Sequence, residues 1–79
     1  LKLSQLNSGQ KARVVSVHST EDGDPIARRL GDLGFVQGES VRIVAFGPFG
    51  GDPIAVQIGQ ARFALRRSEA ARVQVEAQS

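Results

Sequence analysis

The 79-residue chain has no cysteine, tryptophan, tyrosine or methionine, only four phenylalanines, and a single histidine. Each gap removes a class of function. Without cysteine there is no disulfide and no thiolate metal site, which fits a reducing compartment. With so few aromatics, base stacking on single-stranded nucleic acid has little to use. One histidine leaves almost nothing from which to build a Ser–His dyad. No apolar run approaches the roughly 20 residues of a membrane span, and no secretory leader is visible. The length suits one domain over residues 1–79 with a small core.

What is present is cationic and punctuated. Lysine plus arginine number 10 against 8 acidic residues, a formal charge of +2. Such a surface can meet an anionic partner or remain merely soluble. Nine glycines and three prolines separate short apolar segments, a spacing that reads as a β-rich domain. "LSQLNSG" (3–9) reads as a turn, with Ser4 as cap, Gly9 as its end, and Leu3 and Leu6 tucked under the sheet. "ARVVSVHS" (12–19) is the first strand; strict alternation sets Val15 and Val17 against Ala12, Val14, Ser16 and His18.

"DPIARRLGDL" (24–33) predicts the one helix. Asp24 is its N-cap, Pro25 follows at the first turn, and Ile26, Leu30 and Leu33 share a face. Gly34 stands where a left-handed residue ends a helix, with Phe35 folding back onto the last turn. Gly38 supplies a positive φ in the turn "VQGE". Gly31 lies inside the helix, where it costs about 1 kcal/mol relative to alanine; a close backbone approach or a tolerated weak spot would each account for it. "SVRIVAF" (40–46), "PIAVQIG" (53–59), "ARFALR" (61–66) and "RVQVEA" (72–77) supply four more strands, with Ser68 capping a single turn before the last. Five short strands with one helix inserted after the first close most economically as a small barrel.

Catalytic chemistry finds no constellation in this sequence. "GPFGGD" (47–52) lacks the lysine and the following helix of a phosphate-binding loop. Glu21, Asp22 and Asp24 crowd one loop with no apolar pocket to raise a carboxyl pKa. Together with His18 they form a candidate metal set, His18, Glu21, Asp22 and Asp24, whose imidazole and carboxylates suit weak binding of Fe2+ or Zn2+. An acidic loop capping the helix accounts for the same residues. No cofactor is required by any motif, and no nucleic-acid partner is expected. Two surfaces are candidates for a protein partner. One is the loop carrying Phe46, Pro48 and Phe49, since exposed rings on a flexible loop are otherwise unfavourable; rings that cap the open end of the barrel would account for the same residues equally well. The other is the outer face of the helix, with Arg28, Arg29 and Asp32.

The order of the pieces is more specific than any one of them. A Leu-x-x-Leu-x-x-Gly opening (3–9), "LGDLGF" (30–35), a turn glycine, "GDPI" (51–54) and "ALRRSEAARVQV" (64–75) together resemble the FeoA family, small components of bacterial ferrous-iron uptake, over nearly the whole chain. The resemblance implies a mainly β fold, an SH3-like barrel of about five strands with one inserted α-helix. It also implies a cytoplasmic, non-catalytic regulatory protein whose partner is FeoB, a membrane iron transporter with a GTPase domain. Self-association is left open. Gln37 stands where the family often has proline, and Gly50 plus Gly51 make the loop before "DPI" longer by one glycine. The SH3-like C-terminal domain of the metal-dependent repressors is similar too, which makes a metal-responsive module the alternative. The pattern runs from Leu3 to near Ala77, the extent expected of a standalone protein of this family.

Overall fold

The fold is built on a five-stranded antiparallel sheet, seen in a computed structural model that describes residues 1–78. After a short 3-10 turn (Leu3–Gln5) come β1 (Lys11–Val17), α1 (Pro25–Asp32), β2 (Ser40–Phe46), β3 (Ile54–Ile58), β4 (Ala61–Leu65), α2 (Arg67–Ala70) and β5 (Val73–Ala77). The strand order is β4-β3-β2-β1-β5. The chain crosses between the two outermost strands through α2. Leu65, Ala70 and Val73 are all fully buried along that crossing, so α2 lies over the core rather than outside it. The outer edge of β5 is covered by the N-terminus: the Val75 N–H donates to the Leu1 carbonyl at 2.7 Å, and Lys2 bridges to Gln74. This is the small barrel expected from the strand count.

One hydrophobic cluster joins every element. Leu3 and Leu6 from the opening turn meet Leu30 and Phe35 from α1 and its exit, Val14 from β1, Ile43 from β2, Ile54 and Val56 from β3, Leu65 from β4 and Val73 from β5. Each fully buried aliphatic side chain contributes about 1.5–3 kcal/mol relative to exposure. Leu3 and Leu6 do lie beneath the sheet, but Ser4 caps nothing there. The Gln5 side chain accepts the Lys2 N–H at 2.7 Å instead.

α1 follows its sequence signals at both ends. Asp24 accepts from the N–H of Ile26 at 2.9 Å and of Ala27 at 3.4 Å. At the other end Gly34 has φ +111°, its N–H donates to Gly31, and the N–H of Phe35 reaches back to Leu30. That pair of bonds is a Schellman motif, and Leu30 and Phe35 supply its apolar contact inside the core. At Gly31 a side chain would meet nothing within 4 Å. No close approach by the sheet explains that glycine.

The faces of β1 and β2 depart from strict alternation. The register of β1 against β5 shifts between Val14 and Ser16, and that of β2 against β3 between Ile43 and Ala45. An extra residue at a bulge reverses the phase of everything after it and bends the strand. Ala12 and Val14 are therefore buried and Val15 is exposed, while Val17 packs against the core. In β2, Phe46 rather than Ala45 stands on the core face, opposite buried Ile54. The turn before β5 is the short helix α2, and its start is satisfied by Glu69, which accepts the Arg66 N–H at 3.0 Å, rather than by Ser68.

Candidate functional site

Between β2 and β3 the chain makes a tight loop, 47–53, held from inside. The Gly47 N–H donates to the Pro53 carbonyl at 2.8 Å, Gly51 to Gly47 at 3.2 Å, and Asp52 to Phe49 at 3.2 Å. A Cβ on Gly47 would stand 2.6 Å from the carbonyl oxygens of Asp52 and Pro53, so only glycine fits. The Asp52–Pro53 peptide is cis. The loop is also anchored from outside: Asp52 Oδ1 accepts the Arg67 N–H at 3.0 Å, which fastens it to the start of α2.

This frame presents two aromatic rings. Phe49 is 81% exposed and Phe46 41%. Phe46 stands at the end of β2 on the face of buried Ile54, whereas Phe49 lies in the loop with most of its surface exposed. Pro48 and Pro53 are exposed nearby. Phe49, Asp52, Pro53 and Arg66 line a shallow depression of about 430 Å³. An exposed ring on an anchored loop, beside a cation and two prolines, has the composition of a protein-contact anchor. Asp52 stands in "GDPI" and Arg66 and Arg67 in "ALRRSEAARVQV", but nothing in those stretches marks them as neighbours of the loop. They join the site only because β4 and α2 return to the loop in three dimensions.

The other expected partner surface is divided. Arg28 and Asp32 are exposed on α1 and carry no ion pair among the described residues. Arg29 instead reaches Glu69 Oε2 at 3.0 Å and links α1 to α2. With the arginine half-exposed, the pair adds little stability.

The candidate metal set is dispersed. His18, Glu21 and Asp22 are exposed, and Asp24 is buried. No group of three His, Asp or Glu residues converges anywhere among the described residues. Asp24 is engaged on every side. One oxygen caps α1; the other accepts the Thr20 N–H at 3.1 Å, the Thr20 hydroxyl at 2.9 Å, and an ion-paired bond from Arg72. The Thr20 N–H leads the bonds that hold its carboxyl far below the usual carboxylate range, against the opposing effect of burial; the Thr20 hydroxyl and the Ala27 and Ile26 N–H groups add to it. A carboxylate so occupied has no lone pair directed at a cation. Arg72 lies 48 positions from Asp24, and nothing local in the sequence links them.

A family model described as the FeoA domain matches residues 1–77. The Fe(2+) transport protein A/Fe(2+) transporter FeoB fusion protein of Porphyromonas gingivalis is 33% identical over 76 residues. That alignment covers 96% of this chain and 8% of the fusion protein, so the chain spans only a small part of that curated relative. FeoA of Stenotrophomonas maltophilia, solved in complex with zinc and described as a prokaryotic SH3 domain protein, is 55% identical with a TM-score of 0.87. The match covers 96% of this chain and 89% of that one. A manganese-dependent transcriptional repressor complexed with manganese matches with a TM-score of 0.84 at 20% identity, over 99% of this chain and 36% of its own. At that identity the likeness is one of fold alone.

Proposed function

Since the chain belongs to the FeoA family of ferrous-iron transport proteins, we propose that it is a non-catalytic, cytoplasmic regulatory partner of an FeoB-type membrane iron transporter. The observation that carries this reading is the Porphyromonas relative, in which a transport protein A segment and the transporter FeoB form one polypeptide. Fusion holds two modules at high effective concentration, which is useful when separate chains would otherwise have to associate. The exposed pair Phe46 and Phe49, on a loop anchored through Asp52 and Arg67, is the contact surface this reading assigns. Among the described residues no helix is long and apolar enough to cross a membrane. The S. maltophilia relative is itself described as a candidate ferrous iron transport activating factor.

The reading is tested by co-purification with the detergent-solubilised transporter encoded in the same genome, alongside iron uptake in a deletion strain. Retention on the transporter and altered uptake are expected. Absence of both would end the proposal.

A second reading is favoured by the zinc complex of that relative. It assigns weak, open binding of Zn2+ or Fe2+ to His18 with Glu21 or Asp22, without Asp24. Calorimetric titration should show binding weakened by His18→Ala and Asp22→Ala. Unchanged affinity in both variants would remove this loop.

A further inference from the structure

On the outer face of the sheet, four strands bring one row of polar side chains into line. Lys11 of β1 stands opposite Arg42 of β2, Arg42 opposite Gln57 of β3, and Gln57 opposite Arg62 of β4. Directly opposed residues share a face, and like charges so placed repel. Three cations in one row, two of them adjacent, are therefore unfavourable unless something negative lies between them. The two ion pairs among the described residues, Arg29–Glu69 and Arg72–Asp24, are elsewhere. The row spans three strand spacings, about 14 Å.

The row is also shaped. A concavity of about 370 Å³ opens over Lys11, Ser40, Arg42, Gln57 and Gly59, a volume within the roughly 300–1,000 Å³ of small-ligand sites. Arg42 is oriented before any ligand arrives. Its Nη2 donates to Gln57 Oε1 at 3.1 Å, and Gln57 Nε2 donates to the Gly59 carbonyl at 3.2 Å. Lys11 and Ser40 line the same space as Arg42 and bring an ammonium and a hydroxyl donor to it. Arg13, one row away, is occupied by the Gly38 carbonyl at 2.9 Å and stands opposite Glu76. No aromatic side chain lines the cavity, so recognition there would rest on charge and hydrogen bonds and not on stacking.

We propose that this row is a binding site for a phosphate-type oxyanion, with Arg42 as the oriented fork and Lys11 as the second charge. A tetrahedral phosphate anion relieves the Lys11–Arg42 repulsion and matches the donor geometry of guanidinium with hydroxyl. The same chemistry is offered by a free phosphate compound and by a phospholipid headgroup. This site is separate from the Phe49 loop and does not depend on the transporter reading.

The test uses the full chain, isotope-labelled, titrated with pyrophosphate at physiological ionic strength while amide shifts are followed by NMR. In parallel, flotation is measured with vesicles of equal parts phosphatidylglycerol and phosphatidylcholine, and with phosphatidylcholine alone. The site predicts saturable shifts centred on Arg42, Gln57 and Gly59, or flotation with the anionic vesicles only, in either case weakened about tenfold or more by Arg42→Gln. Lys11→Gln weakens binding in the same assay, and Lys2→Gln, which removes equal charge elsewhere, does not. Pyrophosphate binding identifies a soluble phosphate compound; binding to anionic vesicles alone identifies a headgroup. Absence of both, or equal weakening by Lys2→Gln and Arg42→Gln, overturns the proposal. Unchanged amide dispersion in the Arg42→Gln spectrum separates loss of binding from loss of fold.

Discussion

Asp24 and Arg72 form an ion pair that fastens the start of α1 to the foot of β5. Around it, Thr20 closes the loop that follows β1, and the His18 N–H donates to the Arg72 carbonyl at 2.7 Å. A segment rich in groups suited to metal ligation is thus held at its buried end by structural bonds. The acidic side chain nearest the helix stabilises the fold, and the exposed ones remain at the surface.

The pH dependence of stability should carry the signature of Asp24. Its folded-state pKa is depressed below the ordinary 3.8. The stabilisation is therefore fully present above the unfolded pKa and is lost progressively as pH falls toward the folded one. Thermal melts of the native chain should decline steeply below about pH 4. Asp24→Asn keeps a capping residue but cannot titrate. Its melting temperature should be lower at neutral pH and should fall less steeply in acid.

Two glycines should respond in opposite directions to the same substitution. Gly47→Ala drives a methyl group into two backbone carbonyls and should destabilise by roughly 1–3 kcal/mol. Gly31→Ala meets open space on a helix and should stabilise by up to about 1 kcal/mol. Urea denaturation of both variants measures the difference. If Gly31→Ala stabilises the chain yet weakens transporter binding, the glycine is kept for a partner's close approach.

Leu30 is the point where the helix meets the core, buried with Phe35 in the Schellman contact. Leu30→Ala should cost about 2–5 kcal/mol, a large share of the roughly 5–15 kcal/mol available to a small domain. Chemical denaturation should show a transition displaced to much lower denaturant. A change below about 0.5 kcal/mol would mean that α1 is not packed as described.

How much of this was legible in the sequence depends on range. α1 was readable at both ends because its signals are local: Asp24–Pro25 at the start, Gly34 at the stop, and Ile26, Leu30 and Leu33 along one face. The strands were readable in extent, but their faces were not. The run from Val14 to Val17 is apolar at three of four positions, so a one-residue bulge leaves no trace in composition. The caps of the short turns went to glutamine and glutamate side chains three residues on, not to Ser4 or Ser68. For the site, the two phenylalanines were visible as residues but their setting was not. Asp52 reaches Arg67 and Asp24 reaches Arg72 only after β3, β4 and α2 have returned the chain. The cationic row of Lys11, Arg42 and Arg62 is likewise a product of register across four strands.

The central claim is that the exterior of this barrel, at the β2–β3 loop, carries its role. It is tested most directly by titrating the transporter's cytoplasmic portion with the native chain and with Phe49→Ala. Phe49 is 81% exposed, so its truncation should leave stability within about 0.5 kcal/mol. Affinity should fall by about tenfold or more, the loss expected of an aromatic anchor. Equal affinity for both chains would contradict the assignment of that loop, and no binding by either would contradict the account as a whole.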